Sequence, residues 1–441
     1  MTKEELLKKK ICVVSLGCDK NTVDSERILF RLNEFGFDVV GDPKQANVII
    51  VNTCAFIEPA RIESVEKITE MVKLKSKKVE NVIVVGCLPA KTDFDFKKEL
   101  PKVDLTLGTR SEDKIIESIC KLYNVSPNSQ RIKMLPCQRI VSTPKHYAYL
   151  KIADGCDNKC SYCTIPQIRG RFVSEKIETL VDEAKELVKN GAKELILVAQ
   201  YVTRYGEDLY KKHRIVDLIK ELSKIKGLEW IRLHYCYPEF FSDELIDEIA
   251  KNPKVVKYID IPIQHISDSI LRSMNRASTH ERVVSLIKKL RQKIPDVAIR
   301  TSIIVGFPGE TEIDFKELCE FLTEFKLDNV GFFPYSREKG TKAYDLKNQV
   351  TEKTKDVRLK KLVEMQTFLQ FCKAQECINK KFKCVCDDET EDFYILRNQY
   401  NSPEIDSIVY AEKTRKLNIG DFCDVLITDV VGPFDLKGDI L

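Results

Sequence analysis

Cysteine is the residue type in this chain most able to do chemistry, with sixteen among 441 residues. Cys156, Cys160 and Cys163 fall within eight residues in the spacing CxxxCxxC. Three thiolates so placed can ligate three irons of a cubane cluster and leave the fourth iron open. An open iron is what reductive cleavage of S-adenosylmethionine requires, because the amino and carboxyl groups of that molecule must chelate it. Zinc is the competing occupant. It prefers paired two-residue spacings and four ligands, and no fourth ligand stands nearby. A second set, Cys18, Cys54 and Cys87, is spread thirty-odd residues apart, and each member follows an apolar run. In an open parallel sheet, residues just past the carboxyl ends of strands converge on one crevice. The three thiols are therefore expected to meet there and to hold a second cluster. Cys12, by contrast, lies inside its apolar run, where packing accounts for it.

The elements that position these thiols follow from periodicity. Residues 11–16, 48–51 and 82–85 read as buried parallel strands, with helical composition over 25–34 and 58–73 between them. This is a small doubly wound α/β domain, residues 1–140. A polar connection with three prolines, about 124–145, leads to residues 141–375. There a strand–helix unit repeats six times, with strands expected at 147–152, 195–200, 230–235, 258–263, 299–305 and 330–335. Six such units predict a partial (β/α)6 TIM-like barrel with its chemistry at the carboxyl strand ends. A long helical pattern over 351–379 precedes residues 376–441, where short strands broken by Gly and Pro predict a small all-β barrel.

A net charge of +4 does not imply a nucleic-acid partner. The N-terminus lacks the apolar core, about 7–15 residues, of a secretory signal, and no run approaches the roughly 20 apolar residues of a membrane span. A cytosolic location is expected, and there cysteines serve as ligands or buried thiols rather than disulfides.

The CxxxCxxC spacing after a first barrel strand resembles the radical S-adenosylmethionine superfamily. That likeness implies cofactor contacts from Tyr162, which precedes the third cysteine, and from Gly306 and Gly309 in the segment ending at Glu310. Glycine there lets backbone approach the adenosyl group closely, although a strand-to-helix turn would use the same residues. Two cysteine sets, one on a barrel and one on an N-terminal α/β domain, resemble the methylthiotransferases, and the terminal barrel resembles a TRAM domain. The resemblance implies two 4Fe–4S clusters, S-adenosylmethionine, a cofactor contact from Gln200, and an electron donor such as flavodoxin or ferredoxin. Within the family, the stretches 15–26, 52–57, 198–208 and 260–268 are similar to the branch that methylthiolates the β-carbon of an aspartate in a small-subunit ribosomal protein. The tRNA-modifying branch has a small residue where His265 stands, and methylthiolation of a tRNA adenosine is the alternative. A non-catalytic iron–sulfur module that docks on the ribosome is a third reading. Asp19 and the run Pro89, Ala90, Lys91 depart from the family pattern and bear on how the second cluster is packed.

His265 reads either as a structural strand-end histidine or as a catalyst. Arg169 and Arg171 read as an exposed basic loop that steers an acidic group or does nothing specific. From Glu376 to Leu441 there are 14 acidic and 8 basic residues, net −6, which leaves about +10 on the rest of the chain. An acidic barrel suits a basic protein partner better than RNA. Asp387, Asp388, Glu389, Glu391 and Asp392 are expected to form its exposed face. Removing the barrel is expected to leave cofactor cleavage intact.

Overall fold

The computed structural model describes residues 1–126 and 138–441; part of the expected 124–145 connection lies outside them. Two compact units are present. The first comprises Met1–Thr143, Tyr149–Glu186 and Ser336–Tyr344, and the second Pro144–Ala148, Leu187–Tyr335 and Asp345–Leu441.

In the first unit, strands β1 (Lys10–Ser15), β2 (Asp38–Val39), β3 (Val48–Thr53), β4 (Asn81–Gly86) and β5 (Leu105–Leu107) form a parallel sheet in the order β2-β1-β3-β4-β5. Every residue of β3 is buried, as befits a central strand covered on both faces. The order reverses between β1 and β3, the position where such sheets open a ligand crevice. Sequence periodicity did not reveal β2 and β5, which are two and three residues long. Strand β6 (Tyr147–Lys151) and a short hairpin, β7 (Ala153–Asp154) and β8 (Val173–Ser174), flank the second cysteine set.

In the second unit, β9 (Glu194–Val198), β10 (Trp230–Leu233), β11 (Val255–Asp260), β12 (Ala298–Val305) and β13 (Asn329–Pro334) pair in parallel, and β6 completes an open six-stranded sheet in the order β13-β12-β11-β10-β9-β6. β11 starts three residues before the expected position. Lys257 lies within the earlier start, and its ammonium donates to the carbonyls of Asn252 and Val255 at 3.1 Å. The long helix is Glu352–Gln375.

Strands β14 (Lys381–Glu389), β15 (Phe393–Asn398), β16 (Val409–Glu412), β17 (Phe422–Val431) and β18 (Asp435–Ile440) close into a barrel. β18, with two aspartates and a glycine, gave no apolar alternation. Gly438 is needed there because a Cβ would lie 2.6 Å from the Leu426 carbonyl oxygen. Cys384, Cys386 and Cys423 fill the barrel interior with Leu396, Val425 and Ile427, and burial pushes the Cys386 thiol up to about 12. These thiols pack.

The barrel is ion-paired into the second unit. Glu194 at the start of β9 receives Arg232 at 2.7 Å and Arg397 of β15 at 2.8 Å. Arg397 also pairs with Asp387 at 2.7 Å, and Asp387 meets His146 at 2.8 Å. The loop between β15 and β16 adds buried bonds from His234 to Ser402 (3.0 Å) and from Tyr258 to Asp406 (2.8 Å). One expectation is thereby corrected: Asp387 belongs to this anchor and not to the exposed acidic face.

Arg397→Met should lower stability by about 3–5 kcal/mol, the cost of leaving buried partners uncompensated. The single tryptophan, Trp230, packs edge-on to Phe422 with ring centroids 4.8 Å apart, so its fluorescence during urea unfolding reads this interface directly. A loss below about 1 kcal/mol would mean that the anchor is not load-carrying in the sense argued from its burial.

Candidate metal centres

Cys18 caps the helix Asp19–Phe35 after β1, Cys54 follows β3, and Cys87 opens the short helix Cys87–Ala90 after β4. The sheet thus carries all three to the crevice at its switch point. Glycine precedes two of them for steric reasons. Gly17 has φ +90°, and a Cβ there would lie 2.7 Å from the Cys54 Cβ. Gly86 has φ +94°, and a Cβ would lie 2.3 Å from Asn52 Oδ1. Backbone in this region strains any other residue.

A polar lattice ties the three loops together. Asn21 Nδ2 donates to the carbonyls of Leu16 and Thr53, each at 3.0 Å. Asn52 Nδ2 donates to the Asn21 carbonyl and to Ser25 Oγ, each at 2.9 Å. Thr53 Oγ1 donates to the Val85 carbonyl at 2.7 Å and accepts from Leu88 N–H at 3.2 Å. Ser64 Oγ donates to the Cys54 carbonyl at 2.7 Å. Burial pushes the Cys54 thiol up and the Cys87 thiol up to about 12. Buried thiols of this kind lose their protons to a bound metal rather than to water. Cys12 packs in the core beneath them.

The second cysteine set also lies in the first unit. Cys156 and Cys160 are buried and Cys163 is half-buried. Cys156 Sγ accepts from the Asn158 backbone N–H and Cys163 Sγ from the Ile165 N–H, both at 3.4 Å. Amides aimed at sulfur stabilise thiolates and are a usual second layer around iron–sulfur clusters. Gly155, φ +80°, fits a space where a Cβ would meet the Arg171 carbonyl oxygen at 2.2 Å. Among the described residues no group of three or more His, Cys, Asp or Glu side chains is placed to hold one metal ion. A cubane takes each thiolate on a different iron and does not ask for that convergence.

Arg169 differs from its expected role. It is not an exposed steering residue but is 3% exposed. Its guanidinium donates to Asp154 at 3.1 Å and to Asp24 at 3.2 Å, and Lys151 pairs with both carboxylates. Burial opposes the Asp24 charge, but Lys151 and Arg169 outweigh it and hold the Asp24 pKa below the usual carboxylate range. Arg171 is exposed, and Tyr162 is half-buried in the same unit.

The remaining candidates are in the second unit. Gln200 follows β9, and both atoms of its buried side-chain amide lack a hydrogen-bond partner. Buried amides are rarely left so, and a bound polar ligand would satisfy them. Gly306 (φ +74°) is required by packing, since a Cβ would lie 2.3 Å from Lys355 Cγ; Gly309 (φ +87°) faces open space. The turn they form is held by Glu310, whose Oε2 accepts from Gly306 N–H at 2.7 Å while Oε1 pairs with Arg358 at 2.7 Å. His265 is buried beside this turn: its Nδ1 accepts from Ser267 N–H at 3.0 Å, and its Nε2, 3.6 Å from Glu310 Oε2, has no hydrogen-bond partner among the described residues. Glu310, Asn21 and Asn52 stand in stretches that the sequence singles out. Ser64 and the buried state of Arg169 carry no such signal.

Residues 150–322 match the radical SAM superfamily, residues 10–108 the uncharacterized protein family UPF0004, and residues 378–441 the TRAM domain. Among solved structures, the radical S-adenosylmethionine methyltransferase TsrM from Kitasatospora setae, with cobalamin and a [4Fe-4S] cluster bound, has the same core fold: TM-score 0.58 at 14% identity, covering 74% of this chain and 75% of that one. The cobalamin-dependent radical enzyme OxsB gives TM-score 0.53 at 12% identity, covering 82% and 57%. Sequence and fold define a radical SAM protein, a class that implies a 4Fe–4S cluster and S-adenosylmethionine. The ribosomal protein uS12 methylthiotransferase RimO of Acetivibrio thermocellus is 44% identical over 99% of both chains, and the RimO of Thermoanaerobacter sp. (strain X514) is 44% identical over 98% of this chain and 100% of its own. The chain belongs to the RimO family of methylthiotransferases.

Gly86→Ala should cost more stability than Gly309→Ala. The first meets Asn52 as well as an unfavourable φ, about 2–4 kcal/mol in all; the second meets only the φ, about 1 kcal/mol. Thermal melts of the two apo variants check this, and equal losses would contradict the steric account of the crevice.

Proposed function

We propose that the chain transfers a methylthio group to the β-carbon of an aspartate in ribosomal protein uS12. Full-length likeness to RimO enzymes supports the activity, and the observation that carries the chemistry is the pairing of two cysteine sets in one compact unit. Cys156, Cys160 and Cys163 hold the cluster that works with S-adenosylmethionine, and Cys18, Cys54 and Cys87 hold a second 4Fe–4S cluster. When bound, these groups supply the radical and sulfur chemistry that opens an unactivated C–H bond, which no general base can deprotonate usefully. The protein's part is to hold them: backbone amides at Asn158 and Ile165 support the sulfurs of the first set, and the Asn21–Asn52–Thr53 lattice fixes the loops of the second. Tyr162, Gln200, Gly306 and Gly309 contact the cofactor, a role that the unpartnered Gln200 amide supports.

Residues 1–140 then carry the sulfur-delivering cluster, residues 141–375 the cofactor chemistry, and residues 376–441 the approach to the substrate. The work is done in the cytosol, with electrons from a small carrier such as flavodoxin or ferredoxin. No helix among the described residues is long and apolar enough to cross a membrane.

Three outcomes are expected. Alanine at Cys156, Cys160 or Cys163 abolishes 5′-deoxyadenosine formation by the reconstituted enzyme, and alanine at Cys18, Cys54 or Cys87 spares it while ending methylthio transfer. Parent-rate cleavage in any variant of the first group would overturn the cluster assignment. Mass spectrometry of uS12 from a strain lacking the gene should lose the modified aspartate peptide; an unchanged peptide together with an altered tRNA nucleoside would move the activity to tRNA. Finally, reversing Asp388, Glu389, Glu391 and Asp392, all exposed, to lysine should weaken uS12 binding by about tenfold at low salt with little loss of stability. Complementary charge acts mainly on association and is screened beyond ~8 Å at physiological ionic strength. A salt series measures it, and unchanged affinity would remove the barrel's acidic face from substrate capture.

A further inference from the structure

Arg169 stands six residues after Cys163, yet its guanidinium reaches the other cysteine set. Nη2 lies 3.9 Å from Cys87 Sγ and donates to Asn21 Oδ1, the same oxygen that lies 3.9 Å from Cys87 Sγ. Cys87 and Arg169 are both buried, 4% and 3% exposed. Asp24 and Asp154 balance Arg169 and Lys151 charge for charge, and Arg110 adds a more exposed cation 3.7 Å from Asp154. The guanidinium is therefore held by carboxylates on one side and presents an N–H to sulfur on the other. A planar fork with fixed donors does this, and a point-charge ammonium does not.

We infer that Arg169 is a positioning residue for the N-terminal cluster, donating an N–H to the Cys87 thiolate and thereby raising that cluster's reduction potential. This rests on the reading that Cys18, Cys54 and Cys87 hold a cluster. Hydrogen bonds to cluster sulfurs make reduction easier, because they offset the negative charge that the added electron brings. A guanidinium stays protonated at every working pH, and its ion pairs to Asp24 and Asp154 fix where its N–H groups point. The residue also joins the two cysteine sets covalently and by hydrogen bond within one unit: the helix Ile165–Arg169 begins just after Cys163 and ends at the side chain that meets Cys87.

The test uses full-length protein with Cys156, Cys160 and Cys163 all changed to alanine, reconstituted with iron and sulfide, so that only the N-terminal cluster is present. Poised reduction with dithionite and mediators, followed by electron paramagnetic resonance, gives its potential. Arg169→Lys keeps the charge opposite Asp24 and Asp154 but loses the fork. It should shift the reduction equilibrium about tenfold toward the oxidised cluster, 59 mV for one electron, and Arg169→Gln should shift it in the same direction. An unchanged potential in Arg169→Lys would overturn the directed N–H. A second measurement needs no variant at Arg169. With ¹⁵N-arginine incorporated, the reduced cluster should show a hyperfine coupling to arginine nitrogen, and its absence would overturn the inference even if both variants lost their iron. Failure of the underlying reading looks different: the triple-alanine protein would then hold no cluster at all.

Discussion

Keeping thiolates in a protein interior is the constraint on which the first unit is built. A buried thiol favours its proton, as the raised values at Cys54 and Cys87 express. A thiolate held in that interior therefore needs fixed dipoles and cations around it. The chain does so in two ways. At Cys156 and Cys163 the loop's own backbone N–H groups point at sulfur. At Cys87 the donor is the Arg169 guanidinium, itself stable in the interior only because Asp24 and Asp154 accept from it. Removing one member of such a buried set leaves the others uncompensated, at a cost of about 3–5 kcal/mol. The buried carboxylates Asp24 and Asp154 thus tie the helix after β1 to the segment after Cys163 through Arg169.

The sheet does the rest of the positioning. Strand order β2-β1-β3-β4-β5 brings residues 18, 54 and 87 to one crevice, although they are far apart in sequence. That much was legible from three apolar runs each ending near a cysteine, because parallel central strands announce themselves by unbroken apolar composition. The CxxxCxxC spacing was legible for a different reason: its geometry is local. The long helix and four of the barrel's five strands were legible from periodicity as well.

What was not legible is long-range and polar. Arg169 reads as a surface arginine because nothing adjacent in sequence names its partners, which lie 145 and 15 residues away. Asp387 sits in an acidic run and reads as surface charge, yet it is half-buried and paired with Arg397 and His146. β18 escaped notice because its glycine answers to the closeness of β17, a tertiary fact. His265 lies 3.6 Å from Glu310, 45 residues on, a proximity that nothing adjacent in sequence announces. The barrel is fixed by the Glu194–Arg397–Asp387 ion pairs and by the loop carrying Ser402 and Asp406, which makes it an integral part of the second unit.

The central claim is that one chain holds two clusters on two separate sets of three thiols. Iron and sulfide counting, with Mössbauer spectroscopy, on anaerobically reconstituted full-length protein tests it most directly. The account predicts about eight irons per chain in the parent and about four, all in one cubane, when either Cys156, Cys160 and Cys163 or Cys18, Cys54 and Cys87 are replaced together. Four irons in the parent, unchanged on replacing Cys18, Cys54 and Cys87, would contradict it and make the N-terminal thiols structural.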